Sequence, residues 1–316
     1  MRLLFVMLLS TALVACGGTQ SGSGEVITIE PGPDVETQIQ EAFINVKDGG
    51  TVEFAQGEYF LTGTLSITDK KDLTVKGAGM NKTTLNFKDQ TGGAEGVRVE
   101  NCQRFRIEGL GILDAKGDGI KLQDCKDLVI RGLLTEWSTP GDSTNGAYGI
   151  YPVSSENVLM EECVARHAMD AGIYLGQTKT AIMRHNLAEY NVAGIEIENS
   201  YDVEAYDNTC QHNTGGLFIF DMPGLPITNG KRIYVHDNVV RSNNHPNFSQ
   251  KGIVVNMVPP GSGMLVMATT EIQVERNEIR DNGTFGIAVA SWNITQRDPQ
   301  DSTYNRYPTA VEIAEN

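Results

Sequence analysis

The sequence predicts an all-β fold, a single solenoid of stacked parallel strands closed at its start by an α-helix, and three observations predict it. Glycine followed by an apolar-x-apolar triplet recurs at Gly96, Gly119, Gly149, Gly172, Gly194, Gly216, Gly252 and Gly286, in units of 22 or 23 residues that sometimes carry an insertion. A period of that length marks a coiled repeat whose core grows by one layer per unit. Counted from the glycines, two apolar columns fall into register: Phe105, Leu128, Val158, Ala181 and Val203, then Ile107, Ile130, Met160, Met183 and Ala205 two residues on. Alternating burial in runs this short, split by polar turns, is the pattern of strands. A third column reads Cys163, Asn186, Asn208, Asn238 and Asn277. Asparagines stacked in tight turns can hydrogen-bond from coil to coil.

From the start of the chain, residues 1–15 read as a bacterial export signal: Arg2, an apolar run from Leu3 to Leu9, and small residues before Cys16. The run is too short to span a membrane. The tetrad Leu13-Val14-Ala15-Cys16 resembles the lipobox of bacterial lipoproteins, which implies acylation of Cys16 and cleavage just before it. Residues 16–25 have the composition of a flexible tether, and 26–316 form the coiled body. The expectation is a lipid-anchored envelope protein, and resemblance to enterobacterial lipoprotein sorting, where an Asp after the cysteine is a retention signal, implies the outer membrane rather than the inner one because no Asp follows Cys16. Within the body, Val35, Ile39, Phe43 and Val46 sit at helical spacing, so 34–47 is expected to form a helix, N-capped by Asp34, that plugs the first coil. At the other end, Val311–Asn316 matches Ile272–Asn277, so the chain stops inside a coil. Truncation is the expected reason, with completion by another chain as the alternative, and the protein is expected to be monomeric.

With 40 acidic against 25 basic residues, a net charge of -15, the chain lacks the basic face that nucleic-acid phosphates require. Four cysteines follow Cys16, none in a metal-like CxxC pair. Cys102 and Cys125 share a column, so their backbones should lie about 4.8 Å apart, a separation that admits a disulfide.

Together the glycine, aliphatic and asparagine columns resemble the right-handed parallel β-helix repeat family, which includes pectate-lyase-like and alginate-epimerase-like proteins, over residues 50–316. The resemblance implies the fold and leaves function to the site. The segment Tyr148-Gly149-Ile150-Tyr151-Pro152-Val153 is similar to the epimerases' Tyr-Gly-Phe-Asp-Pro-His. Tyr148, Gly149 and Pro152 match, whereas the family's catalytic Asp and His fall at Tyr151 and Val153.

In each glycine-led strand the apolar residues point inward, so the residues between and after them face out. That outer face runs Arg98 and Glu100, Lys121 and Gln123, Tyr151 and Val153, Tyr174 and Gly176, Glu196 and Glu198, Phe218 and Phe220, then Val254 and Asn256, Ala288 and Ala290. Insertions at 136–147 and 243–250 precede the strands and those at 221–230 and 257–268 follow them, so both sides of the face should be walled. Exposed aromatics suit sugar rings and carboxylates suit hydroxyls, so the expected ligand is an extended polysaccharide held by Arg98, Tyr151, Tyr174, Glu196, Glu198, Phe218 and Phe220. The bland alternative is that these aromatics pack beneath the loops.

For lyase or C5-epimerase chemistry, expected ahead of glycoside hydrolysis, Lys121 would neutralise a uronate and Tyr151 or Tyr174 would shuttle a proton. Glu196, Glu198 and Asp221 could bind calcium through oxygen. The competing function is a non-catalytic envelope scaffold that binds a protein partner. His167, with Arg166 and Asp170 nearby, and His185, with Arg184, could form a proton-transfer or metal cluster, but the two histidines fall in different columns and are expected to be solvent-exposed turn residues. Met257, Met264 and Met267, without clustered His or Cys, read as packing rather than a copper site.

Overall fold

The computed structural model describes residues 24–316. The export signal and Cys16 lie outside the described residues, as does most of the tether. The rest forms one right-handed parallel β-helix: three parallel sheets of 11, 9 and 9 strands, visited in turn by each coil. Equivalent apolar residues stack inside. Ile120 pairs with Ile150, Ile150 with Ile173, Ile173 with Ile195 and Ile195 with Leu217, and all are fully buried.

The corners explain why the repeat has its period. A regular coil bends at residues held in the left-handed region, as at Ser154, Asn157, Glu162 and His167, then again at Gln177, Thr180, His185 and Tyr190. That conformation is unfavourable for residues with a Cβ. At three of the corners the next side chain turns inward and bonds to the neighbouring coil. Asn208 Oδ1 accepts from Asn186 N at 3.1 Å and Nδ2 at 2.9 Å, and Asn208 Nδ2 donates to Met183 O at 2.9 Å. The predicted column thus forms a continuous ladder through Asn238 and Asn277 to Asn316.

A second ladder, Asn191, Asn213, Asn243 and Asn282, runs along another corner and was not read from the sequence. At a third corner, Cys102 N donates to Cys125 Sγ at 3.4 Å, Cys125 N to Ser155 Oγ at 3.2 Å and Thr178 N to Ser200 Oγ at 3.1 Å. Cys102 and Cys125 are buried free thiols doing the work of serines, not a disulfide. His167 departs from its expected exposure: it is half-buried and its ring stacks on Tyr190 at 5.7 Å.

The helix spans Val35–Asn45 and buries Val35, Ile39, Ala42 and Phe43 against the first coil. Asp34 sits at its start in a left-handed conformation and makes no side-chain cap bond, so its expected capping role is not realised. Instead Gln40 acts as a substitute strand. Its Nε2 donates to Ser66 O at 2.8 Å and its Oε1 accepts from Ser66 N at 3.0 Å, which satisfies the edge strand Leu65–Thr68. A cleft of about 580 Å³ lies beside this helix, lined by Gln40, Phe43 and Lys70 among others.

The register inferred at Gly252 is corrected by the structure. The strand of that coil is Ser262–Met267, with Gly263 in the glycine column and Leu265 and Met267 facing out in place of Val254 and Asn256. Gly252-Ile253-Val254-Val255 has the right alternation but no pairing partner left for it. Leu217 pairs with Met264, and the same coil goes on to bring Asn277 beneath Asn238. The segment 243–261 is therefore one long insertion before the strand. A further insertion, 291–308, follows the strand Phe285–Ala290.

Replacing Asn208 with alanine is expected to lower unfolding free energy by about 3 kcal/mol, because two donors of Asn186 and the Met183 carbonyl lose their partner inside the coil. Cys125→Ser should change it by less than about 1 kcal/mol, since Ser155 already fills the same corner one coil on. Denaturant titration of both variants measures the difference.

Candidate functional site

The nine-stranded sheet that begins at Leu65–Thr68 carries the predicted face. Lys121 pairs with Arg98 and Tyr151, Tyr174 with Glu196, Glu196 with Phe218, and Glu198 with Gly176 and Phe220. Residues far apart in sequence are thus neighbours on one surface. Tyr148 joins them from the position just before the column glycine. Its ring lies 4.7 Å from Tyr151 and 4.5 Å from Tyr174, and Tyr151 meets Tyr174 edge-on at 4.8 Å. Lys121 Nζ sits 5.2 Å from the Tyr151 ring centroid, near the range of a cation–π contact.

The face is open at one end and closed at the other. Arg98, Glu100, Lys121, Gln123, Tyr148 and Tyr151 are partly exposed. Tyr174, Phe218 and Phe220 are not: they retain 4%, 2% and 8% of their surface. The expectation that these three aromatics line an open groove is overturned, because insertions 243–261 and 291–308 meet above them. Arg297 donates to Gly252 O at 2.8 Å, joining the two insertions, and Tyr304 Oη donates to Asp221 O at 2.6 Å, fastening the second to the coil. Val255, Met267, Trp292 and Tyr304 fill the space beneath. Tyr174 lies over Gly176, where an added Cβ would come within 2.3 Å of its ring, and its hydroxyl reaches the Glu198 carboxylate.

This packing leaves five carboxyls in or under the face. Burial pushes Asp118 up to about 6, with the nearby Lys121 charge opposing the shift, and Asp170 up to about 7, with the Tyr148 hydroxyl opposing it. Burial likewise raises Glu198 and Asp221 to about 7, and it drives Glu196 well above the usual carboxylate range with Asp170 and Glu198 adding to the effect. Tyr151 rises to about 12, and Tyr148 and Tyr174 rise further. The phenols therefore hold their protons at neutral pH, while the carboxyls are poised to exchange theirs.

Asp118 was not singled out in the sequence and Asp170 entered only as a neighbour of His167, although both stand next to a predicted strand start. They are the two members of the cluster that keep some exposure, and they flank Tyr148, whose backbone N–H donates to Asp118 at 3.2 Å. Arg98 is engaged by Glu100 at 3.1 Å. Glu196, Glu198 and Asp221 do not converge as a calcium site: Glu198 accepts from Tyr174 and Asp221 accepts from Gly230 N at 2.7 Å. Among the described residues no group of three or more His, Cys, Asp or Glu side chains is placed to hold a metal ion.

The model of the right-handed β-helix region matches residues 95–257 and 142–299. The fold is shared with several solved structures at low identity. The mannuronan C-5 epimerase A-module of Azotobacter vinelandii superposes with a TM-score of 0.62 and 18% identity, over 90% of this chain and 74% of that one. An alginate lyase from Paenibacillus gives 0.52 and 13%, over 92% and 98%. An α-1,3-glucanase from Streptomyces thermodiastaticus gives 0.56 and 12%, over 94% of this chain but 48% of that one. No curated protein matches in sequence.

A buried carboxyl whose folded pKa lies above its unfolded one destabilises the fold as pH rises from about 4 through about 7, where the unfolded chain ionises first. Asp170→Asn should therefore stabilise the protein at pH 8 by on the order of 2 kcal/mol and leave it little changed at pH 4. Melts of both proteins across that range check the sign; a variant less stable at pH 8 than the parent contradicts it.

Proposed function

The chain belongs to the right-handed β-helix family, and from that premise we propose that it binds a polysaccharide over the open part of this face and acts on it by acid–base chemistry. The carrying observation is the pair Asp118 and Asp170 on either side of Tyr148, with carboxyls at about 6 and about 7. Their strands stand two spacings apart, roughly 9.5 Å, with Asp170 one residue out of register with Asp118. An inverting glycosidase sets its two carboxyls roughly 6.5–9.5 Å apart with a water between them, and side chains reaching from these two strands toward Tyr148 suit that arrangement. Asp170, which keeps its proton longer, would protonate the glycosidic oxygen. Asp118, ionised sooner and facing Lys121, would take the proton of the attacking water. Tyr148, Tyr151, Lys121 and Arg98 supply ring faces and donors to the sugar hydroxyls. The solved neighbours that act on mannuronan, alginate and α-1,3-glucan lend the substrate class support by shared fold.

A second reading, elimination or C5 epimerisation at a uronate, draws on Lys121 beside Tyr151 as the neutralising cation. The raised phenols make poor bases, so a carboxylate would have to abstract the C5 proton. We further propose that Cys16 carries a lipid anchor and holds the protein at the outer membrane of the cell envelope, and Cys16→Ala should release it into the soluble fraction.

Incubation with mannuronan, alginate, α-1,3-glucan and rhamnogalacturonan separates the chemistries. New reducing ends without unsaturated uronate absorbance signal hydrolysis. That absorbance signals elimination, and solvent deuterium at C5 signals epimerisation. Asp118→Asn and Asp170→Asn should each lower kcat by about 10²–10⁴-fold with binding retained. The pH profile of kcat/KM should peak between the two carboxyl values, near 6 to 7. Full activity in both variants, or no binding to any of the four polymers, would end this reading.

A further inference from the structure

We infer that the site takes the end of a polysaccharide chain and not its interior; this rests on the glycan reading above. A chain bound along its middle must run past the catalytic groups in both directions. Here one direction is blocked. From Ser66 to Tyr151 the face is uncovered over three strand spacings, roughly 14 Å, and its outward residues are partly exposed. Past Tyr148 the surface stops at a wall. Tyr174 lies across Gly176 with its hydroxyl on Glu198, and two strands on Phe218 and Phe220 are packed under Val255, Trp292 and Tyr304.

The wall is an arch with both feet fixed. Insertion 243–261 rises before the strands and 291–308 after them, so together they cross the face. Arg297 to Gly252 O at 2.8 Å closes the arch, and Tyr304 to Asp221 O at 2.6 Å ties one side down. Gln250 Nε2, bonded to Ser143 O at 3.1 Å, braces the other side against the insertion before Tyr148. Side chains that are 2% to 8% exposed fill the volume below, so the arch does not bridge an open channel. Asp118 and Asp170 thus stand where the uncovered face meets a closed end, which fits release of short pieces from a terminus.

The test uses the intact protein and one polymer of the panel, mannuronan, cut to a graded series of lengths and compared at equal mass. End recognition predicts that half-saturation, expressed by mass, falls in proportion to chain length, so that tenfold shorter chains bind about tenfold better. Any turnover should release mono- or disaccharides from the outset. Tyr304→Phe combined with Arg297→Ala, which unties the arch, should weaken that length dependence. Affinity independent of length, or a ladder of intermediate products, overturns this inference while leaving the glycan reading intact. Should mannuronan fail to bind at any length, the same series is run with alginate, α-1,3-glucan and rhamnogalacturonan, and failure of all four removes both.

Discussion

Every coil has to repeat the backbone path of the one beneath it at a single strand spacing, because the parallel ladders have no other way to pair. The interior enforces this with stacked aliphatics such as Ile150, Ile173 and Ile195, and the corners enforce it with asparagines. A slip of one residue would turn the aliphatics outward and separate Asn208 from Asn186 and Asn238 together. Apolar burial sets which face is inside; the ladders set which residue lies over which. Both must agree, and they do through most of the chain.

That same rule governs charge. Side chains in one outward column are forced to within one coil of each other, so a stable column alternates sign or intersperses neutral groups. One sheet obeys it: Glu161 accepts from Arg131 at 2.6 Å and from Arg184 at 2.7 Å. Another does as well, where Arg166 lies between Glu136 at 3.3 Å and Glu189 at 2.8 Å. The third sheet breaks it. There Glu196, Glu198 and Asp221 are gathered with Asp118 and Asp170 around tyrosines, and no arginine lies among them. An arrangement that raises carboxyl pKa values without pairing them is poor economy for a scaffold and useful for proton transfer.

The fold was legible because its determinants are periodic and local. The glycine and asparagine columns can be counted, and the face that joins Lys121, Tyr151, Tyr174 and Glu196 follows from the count. Legibility failed where periodicity is interrupted. Gly252-Ile253-Val254-Val255 imitates the strand motif, and only pairing distinguishes it from Gly263-Met264-Leu265-Val266. The second asparagine ladder is equally periodic, but its column lies at a different offset from the glycine and is not implied by the first. Exposure was the least legible property. Whether Phe218 faces a ligand or a loop depends on where 291–308 travels, and that segment has no repeat to place it. Asp118 and Asp170 are not legible as members of this face because they precede the glycine, outside the alternating triplet that defines it.

The insertions that spoil the repeat also make the site. A bare β-helix would leave Glu196 and Glu198 in water, with carboxyl values near those of free side chains. Desolvation is what lifts them, and it is supplied by segments lying over the sheet, including those anchored through Tyr304 and Arg297. Covering the face has a geometric consequence, since the atoms that exclude water from Glu198 also exclude a sugar from Phe218. Raised carboxyls and a closed end to the open face are therefore not two separate features. Both follow from laying one apolar arch across a sheet whose outward columns hold acids and tyrosines.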